Sequence, residues 1–195
     1  TNKPGDPLFK DLNNDGKIDG NDCTFYGYSA RPDYVFGLVA GLSWKGLSVS
    51  MQWTGALHAS RVLSGEYRTP FGTQNSRSLL TYLADGRWTE ENMDNARFPR
   101  LTFVNKTQYT RDSDLWLMDG SYLRLKTAEV AYTFKDKALR KAGISSFKVF
   151  LSGYNLLTLF SELEQYDIDP EGSTGDGTYT YPNNRIFNFG INITF

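Results

Sequence analysis

The chain has 195 residues, with 21 Lys plus Arg against 22 Asp plus Glu and a single histidine, so its formal net charge is -1. That balance excludes a basic nucleic-acid binder and an acidic disordered tail. No stretch approaches the roughly 18 to 20 consecutive apolar residues of a spanning helix, which excludes helical membrane spans but not a membrane barrel, whose strands alternate and average out.

Aromatic residues are the unusual feature: 4 Trp, 12 Tyr and 13 Phe make up 15% of the chain. Side chains of that size belong in a core, against lipid or against a ligand. The only cysteine, Cys23, permits no disulfide within the chain and reads as a buried or capped small residue. Residues Thr1 to Asp6 carry no basic and then apolar signal pattern, and read as a mature end or an internal cut.

The first element along the chain is the acidic run Asp11 to Asp22. It matches a calcium loop of EF-hand type, with side-chain oxygens from Asp11, Asn13, Asp15, Asp19 and Asp22, Gly16 at the sharp turn, and the Lys17 carbonyl as the backbone ligand. Four carboxylates this close repel one another unless a hard cation, here Ca2+, gathers them. Asp22 stands where the pattern has a bidentate glutamate and reaches less far. Pro4 and Pro7 precede the run and Tyr26 to Pro32 follow it, so no flanking helices are expected. The alternative is an Asn/Asp/Gly-rich turn without an ion.

Next, Tyr34, Phe36, Leu38, Ala40, Leu42 and Trp44 oppose Val35, Gly37, Val39, Gly41 and Ser43 with the period of two that marks a strand. Lys45-Gly46 reads as a tight hairpin turn into Leu47 to Leu57, where Leu47, Val49, Met51, Trp53 and Leu57 oppose Ser48, Ser50, Gln52, Thr54 and Ala56. His58 then sits at the rim of the sheet. The segment from His58 to Ser121 is long, with a short helix expected over Ser76 to Leu83.

From Tyr122 to Phe134 the parity changes: Leu123 and Leu125 share one, while Ala128, Val130, Tyr132 and Phe134 share the other. One inserted residue would restore the facing, so a β-bulge is expected between Lys126 and Ala128. Lys135 to Ser145 is a short connection with a brief helix over Asp136 to Lys141 ended by Gly143. A strand over Phe147 to Leu157 follows, then the segment Thr158 to Asn184, whose Gly172 to Gly177 tip reads as mobile. The last strand, Arg185 to Phe195, sets Phe187, Phe189, Ile191, Ile193 and Phe195 against Asn188, Gly190, Asn192 and Thr194.

The expected fold is therefore all-β: five antiparallel strands, each long enough to cross a bilayer at a tilt. In an up-and-down meander the three long segments fall at one edge and the two short connections at the other, the asymmetry of an outer-membrane barrel. Such long loops are hard to justify in a soluble sandwich.

No catalytic constellation emerges, and the chain does not read as an enzyme. His58 has no histidine partner, and the carboxylates Asp167, Asp169 and Glu171 suit an exposed loop at least as well as acid/base work. The aromatics on strand faces, such as Tyr34, Phe36, Trp44, Trp53, Phe187, Phe189 and Phe195, suit a lipid-facing band. Those in loops, Trp88, Phe98, Phe103, Tyr109, Trp116, Tyr166, Tyr179 and Tyr181, either build cores for the loops or line a ligand or partner surface.

Several of these segments together carry a resemblance. Asp11 to Asp22, Tyr28-Ser29-Ala30-Arg31-Pro32-Asp33-Tyr34-Val35-Phe36-Gly37, Asp114 to Lys126, Ser152-Gly153-Tyr154-Asn155-Leu156-Leu157-Thr158 and the terminal Phe195 look like the C-terminal part of SusC/RagA-type TonB-linked outer-membrane transporters. The resemblance covers essentially the whole chain in order. It implies a 22-stranded transmembrane barrel of which this chain supplies the last five strands, with residues 1–33, 58–121 and 158–184 extracellular and the turn between residues 134 and 147 periplasmic.

The family imports oligosaccharides or peptides under a SusD-like surface lipoprotein, powered by TonB acting on an N-terminal plug, so the implied partners are that lipoprotein, TonB, outer-membrane lipid and the plug and preceding strands of the same transporter. Neither a plug pattern nor a TonB box is found in these residues, which reads as a fragment. Phe195 corresponds to the family's terminal aromatic, a signal for barrel assembly. In that setting Trp88, Trp116, Tyr166, Tyr179 and Tyr181 are the candidates for contact with substrate or lid, and Ser48, Ser50, Gln52, Lys148, Asn188, Asn192 and Thr194 line the lumen. The rival reading is a secreted, calcium-stabilised, glycan-binding β-domain.

Overall fold

The computed structural model describes residues 2–71, 78–103, 107–172 and 183–195. Among them the strands are β1 (Tyr34–Trp44), β2 (Leu47–Leu57), β3 (Ser60–Val62), β4 (Leu117–Asp119), β5 (Tyr122–Phe134), β6 (Ser146–Leu159) and β7 (Ile186–Thr194). Three helices are short: α1 (Thr81–Asp85), α2 (Thr107–Thr110) and α3 (Lys137–Lys141). The expected helix over Ser76 to Leu83 is found later, as α1, and Ser76 lies outside the described residues.

The five long strands form one sheet in the order β1-β2-β5-β6-β7, antiparallel throughout, and β3 pairs with β4 in a separate ribbon. Lys45 and Gly46 join β1 to β2 at φ 46° and 94°. Two consecutive left-handed residues twist a two-residue hairpin in the same sense as its strands. A Cβ on Gly46 would also lie 2.7 Å from the Thr133 carbonyl oxygen, so the turn packs tightly against β5. Between β5 and β6, the Asp136 side chain caps α3 by accepting from the Ala138 N–H at 3.2 Å, and Gly143 at φ 77° turns the chain back.

The register assigns each side chain to a face. Paired residues share one, so the row Ala40, Met51, Ala128, Gly153, Phe187 and the row Leu42, Val49, Val130, Leu151, Phe189 lie on an apolar face. On the opposite face Ser50, Glu129, Ser152 and Asn188 form one row, and Lys148 sits beside Thr133 and Asn192. The expected bulge is present: the β2/β5 register shifts between Gln52 and Trp53, and the β5/β6 register between Leu125 and Thr127, leaving Lys126 opposite no residue. The insertion keeps Leu123 and Leu125 on the apolar face with Ala128 and Val130.

Pairs at one end of the sheet are Tyr34 with Leu57, Ala56 with Tyr122, Leu123 with Leu159 and Tyr154 with Ile186. All three long segments leave or enter there. The apolar face has no layer over it: Leu38, Leu42, Trp44, Leu151, Phe187, Phe189 and Ile191 are all exposed. Of the sheet's described residues, the only buried hydrophobic ones are Ala56 and Ala131. The core sits in the loops instead, built from Leu63, Leu83, Phe98, Trp116, Met118, Leu163 and Tyr166.

Candidate functional site

The acidic run folds on itself as an ordered loop. Asp11 accepts from the N–H groups of Asn14 (2.6 Å) and Gly16 (2.8 Å), Asn13 from that of Asp15, and Asp15 from that of Lys17. Asp22 closes it, accepting from the Leu12 N–H with one oxygen and the Asp19 N–H with the other, each at 2.8 Å. Those two backbone bonds are the main reason its carboxyl is held below the usual carboxylate range. Gly16 takes φ 80° at the tight turn, and no helix flanks the loop beyond a single 3-10 turn over Gly20–Asp22.

Among the described residues no three His, Cys, Asp or Glu side chains converge into a set able to hold a metal. Each carboxylate oxygen has two lone pairs, so the N–H bonds leave acceptor capacity on Asp11, Asp15, Asp19 and Asp22. Cys23 ends the 3-10 turn exposed, not buried, because the chain at this point runs along the surface of the loop layer.

The loop aromatics divide. Trp116 is 1% exposed and Tyr166 4%, both inside the loop core with Phe98, whose ring stacks on Trp116 at 5.8 Å. Neither offers a face to a substrate or a lid: a loop layer of this size needs an apolar interior, and these two rings supply it. Tyr109 is also buried, donating to Asp6 Oδ1 at 2.6 Å, and Arg100 holds the same carboxylate. These bonds dock the N-terminal segment on the long loop. Trp88, half-buried, lies against Gly5, where a Cβ would meet its ring at 2.5 Å. Tyr179 and Tyr181 lie outside the described residues. His58 follows β2 at the rim, stacked on Tyr28 at 4.3 Å with Asp33 3.6 Å from Nδ1.

The carboxylates Asp169 and Glu171 do not stand free. Arg124, 4% exposed, donates to Asp169 at 2.8 Å and to Glu171 at 3.0 Å, and Lys126 lies 2.5 Å from Glu171. The parity of the strand marks Arg124 as lying on the polar face, but its partners are more than forty residues downstream and no local pattern announces them.

No family model matches the chain. Two TonB-dependent receptors of Formosa agariphila do. One is 32% identical over 202 residues, spanning 98% of this chain and 20% of its own length. The other is 26% identical over 204 residues, spanning 98% and 19%. The chain thus spans about one-fifth of the length of the curated relatives it matches. A solved structure of the RagAB peptide transporter covers 92% of this chain and 19% of its own, with a TM-score of 0.69 and 24% identity. The RagAB peptide importer in its open-open state gives 0.67 and 23% over 92% of this chain and 19% of its own. These likenesses are of fold. Over nearly its whole length the chain is thus similar in sequence to a segment of TonB-dependent receptors and in fold to a segment of the RagAB structures.

Proposed function

We propose that this chain is the last five strands of a 22-stranded outer-membrane barrel, part of a TonB-dependent importer of oligosaccharides or peptides working with a SusD-like surface lipoprotein. One observation carries the reading: an open antiparallel sheet whose apolar face has no covering layer and whose edge strands, β1 and β7, each pair on one side only. In water that face and those edges are a liability, whereas lipid and the neighbouring strands of a closed barrel satisfy both. The concentration of long segments at one end supports their assignment as extracellular, and the Ser50, Gln52, Glu129, Lys148 and Asn192 face supports a polar lumen. A secreted glycan-binding domain would need a core beneath the sheet, and nothing in the described residues favours one.

The loop from Asp11 to Asp22 is the proposed Ca2+ site, with side-chain oxygens of Asp11, Asn13, Asp15, Asp19 and Asp22 and the Lys17 carbonyl as ligands. Support comes from its pre-folded backbone. In this role the ion is structural, fixing the N-terminal segment and taking no part in transport.

Deleting the TonB gene or the gene for this chain's receptor should abolish growth on the same oligosaccharide or peptide, with the receptor found in the outer-membrane fraction. A chain that is soluble and monomeric without detergent would overturn the barrel reading. For the ion, calcium titration of the full-length receptor should give a binding isotherm that Asp15→Ala weakens by at least tenfold while the folded barrel persists; an isotherm unchanged by the substitution places any calcium elsewhere.

A further inference from the structure

We propose that Asp167–Gly172 is a strap, clamped by charge onto the polar face of the sheet, with Arg124 as its positioning residue, and that the clamped strap roofs a polar cavity of about 440 Å³. The strap itself does not depend on the importer reading; only its place inside a lumen does.

The clamp draws on three adjacent strands, β2, β5 and β6, and on the β3/β4 ribbon. Arg124 and Thr54 are cross-strand partners on the polar face, and Tyr122 lies two residues before Arg124 on the same side. Arg124 sends Nη2 to Asp169 Oδ1 at 2.8 Å, Nη1 to Glu171 Oε2 at 3.0 Å, and Nε to Thr158 Oγ1 at 3.1 Å. Glu171 also meets Lys126 at 2.5 Å, Thr54 Oγ1 at 3.3 Å and the Tyr122 hydroxyl at 3.4 Å. From β3, Arg61 donates to the carbonyls of Pro170 (3.1 Å) and Gly172 (2.9 Å). A planar guanidinium is the group suited to hold two carboxylates at once, and a buried Arg left without them would be costly.

The bulge lies directly beside this arrangement. Lys126, two residues after Arg124, shares its side of the strand, so two cations sit side by side over one face, and the bulge returns Ala128 and Val130 to the apolar face beyond them. The strap's own backbone is turned to fit: Asp167 takes φ 56° after the 3-10 turn Glu162–Tyr166, and Asp169 accepts from the N–H groups of Glu171 (2.9 Å) and Asn183 (3.1 Å). Between strap and wall lies the cavity, bounded by Asn155 and Thr158 on β6, by Glu164 and Asp169 above, and by Arg185 before β7. Its lining includes Asn155, a left-handed residue at φ 51° whose Oδ1 is buried without a hydrogen-bond partner among the described residues. Because the clamp is made of side-chain ion pairs and hydrogen bonds, and the strap packs against the loop core through Ile168 alongside a buried Pro170, the strap can lift without unfolding either sheet or core.

The test is hydrogen exchange by mass spectrometry on the full-length receptor in detergent micelles. Arg124→Gln should speed exchange of amides in residues 167–172 at least tenfold and leave β5 and β6 amides unchanged. Arg124→Lys, keeping a charge but losing the fork, should fall between. Asp169→Asn combined with Glu171→Gln removes the strap's charges without touching the sheet and should match Arg124→Gln, which keeps the test decisive if Arg124 variants fail to assemble. Unchanged strap exchange in that double variant, or equal loosening of β5 and β6 in either, overturns the proposal. Import plays no part in the readout, so a failed importer reading leaves this outcome standing.

Discussion

Leu163 is fully buried in the loop core although it lies far along the chain from Leu63, Leu83 and Trp116, which surround it. Leu163→Ala exchanges an isobutyl group for a methyl group. At about 0.8 kcal/mol for each of three lost carbons the transfer term is about 2.4 kcal/mol, and the residual cavity brings the total to about 3 kcal/mol. At roughly 1.4 kcal/mol per decade, the open population of the loop layer should rise about a hundredfold.

Trypsin cleavage of the full-length receptor reads that population directly, since proteolysis tracks the open fraction when reclosing outpaces cutting. The informative sites are Arg97, bonded to the Leu115 carbonyl and Met118 Sδ, and Arg100, paired with Asp6. Cleavage there should accelerate about a hundredfold while the folded band of the barrel on an unheated gel is unchanged. A rate within threefold of wild type would mean that the 58–121 and 158–184 segments do not share one core. Loss of the folded band would mean that this core is not separable from the sheet.

Two further outcomes are expected. Deleting Lys126 removes the bulged residue and leaves Leu125 and Thr127 consecutive opposite Trp53 and Gln52, so every other side chain of β5 keeps its face and the folded band should be retained, as it should in Lys126→Ala; loss of the band on deletion would contradict the assignment of Lys126 as the inserted residue. For pH, burial pushes the Asp169 carboxyl up, but hydrogen bonds and charge from Arg124, with the N–H groups of Glu171 and Asn183, outweigh burial and hold it below the ordinary 3.8. A carboxyl depressed in the folded state stabilises above its ordinary value and loses that contribution as pH falls through the lower folded one. Strap protection, corrected for intrinsic exchange, should therefore stay flat from neutral pH down to about 3.8 and fall only below it; a decline beginning near neutrality would contradict the Arg124 pairing.

What could be read from the chain follows from the reach of each signal. β1, β2, β5 and β7 were legible because one apolar face imposes a period of two over ten residues, and Lys126 was legible because a single insertion breaks parity visibly. β3 and β4 were not: three-residue strands carry no period, and their pairing joins Ser60 to Asp119 across the whole long loop. Trp116 and Tyr166 read as core or contact, since burial inside a loop layer depends on tertiary packing that leaves no local pattern. The carboxylates of Asp169 and Glu171 were visible as residues but not as a clamp, because the cation that defines them lies on another strand. The acidic loop is the opposite case: its oxygens and Gly16 are bound by neighbours within a dozen residues, so its geometry follows from its sequence.

The hairpin turn at Lys45-Gly46 and the long excursion between β2 and β5 also bear on the order of assembly. A two-residue closure forms in roughly microseconds, whereas the β2/β5 seam must first bring together ends separated by the entire 58–121 segment, and closure entropy grows with that length. β1 with β2, and β5 with β6, are thus units that zip early and dock late. The register shift at Gln52 and Trp53 lies at that late seam. A slip by one residue there would put Arg124 on the apolar face, so the register that seats one side chain also proofreads the slowest joint in the sheet.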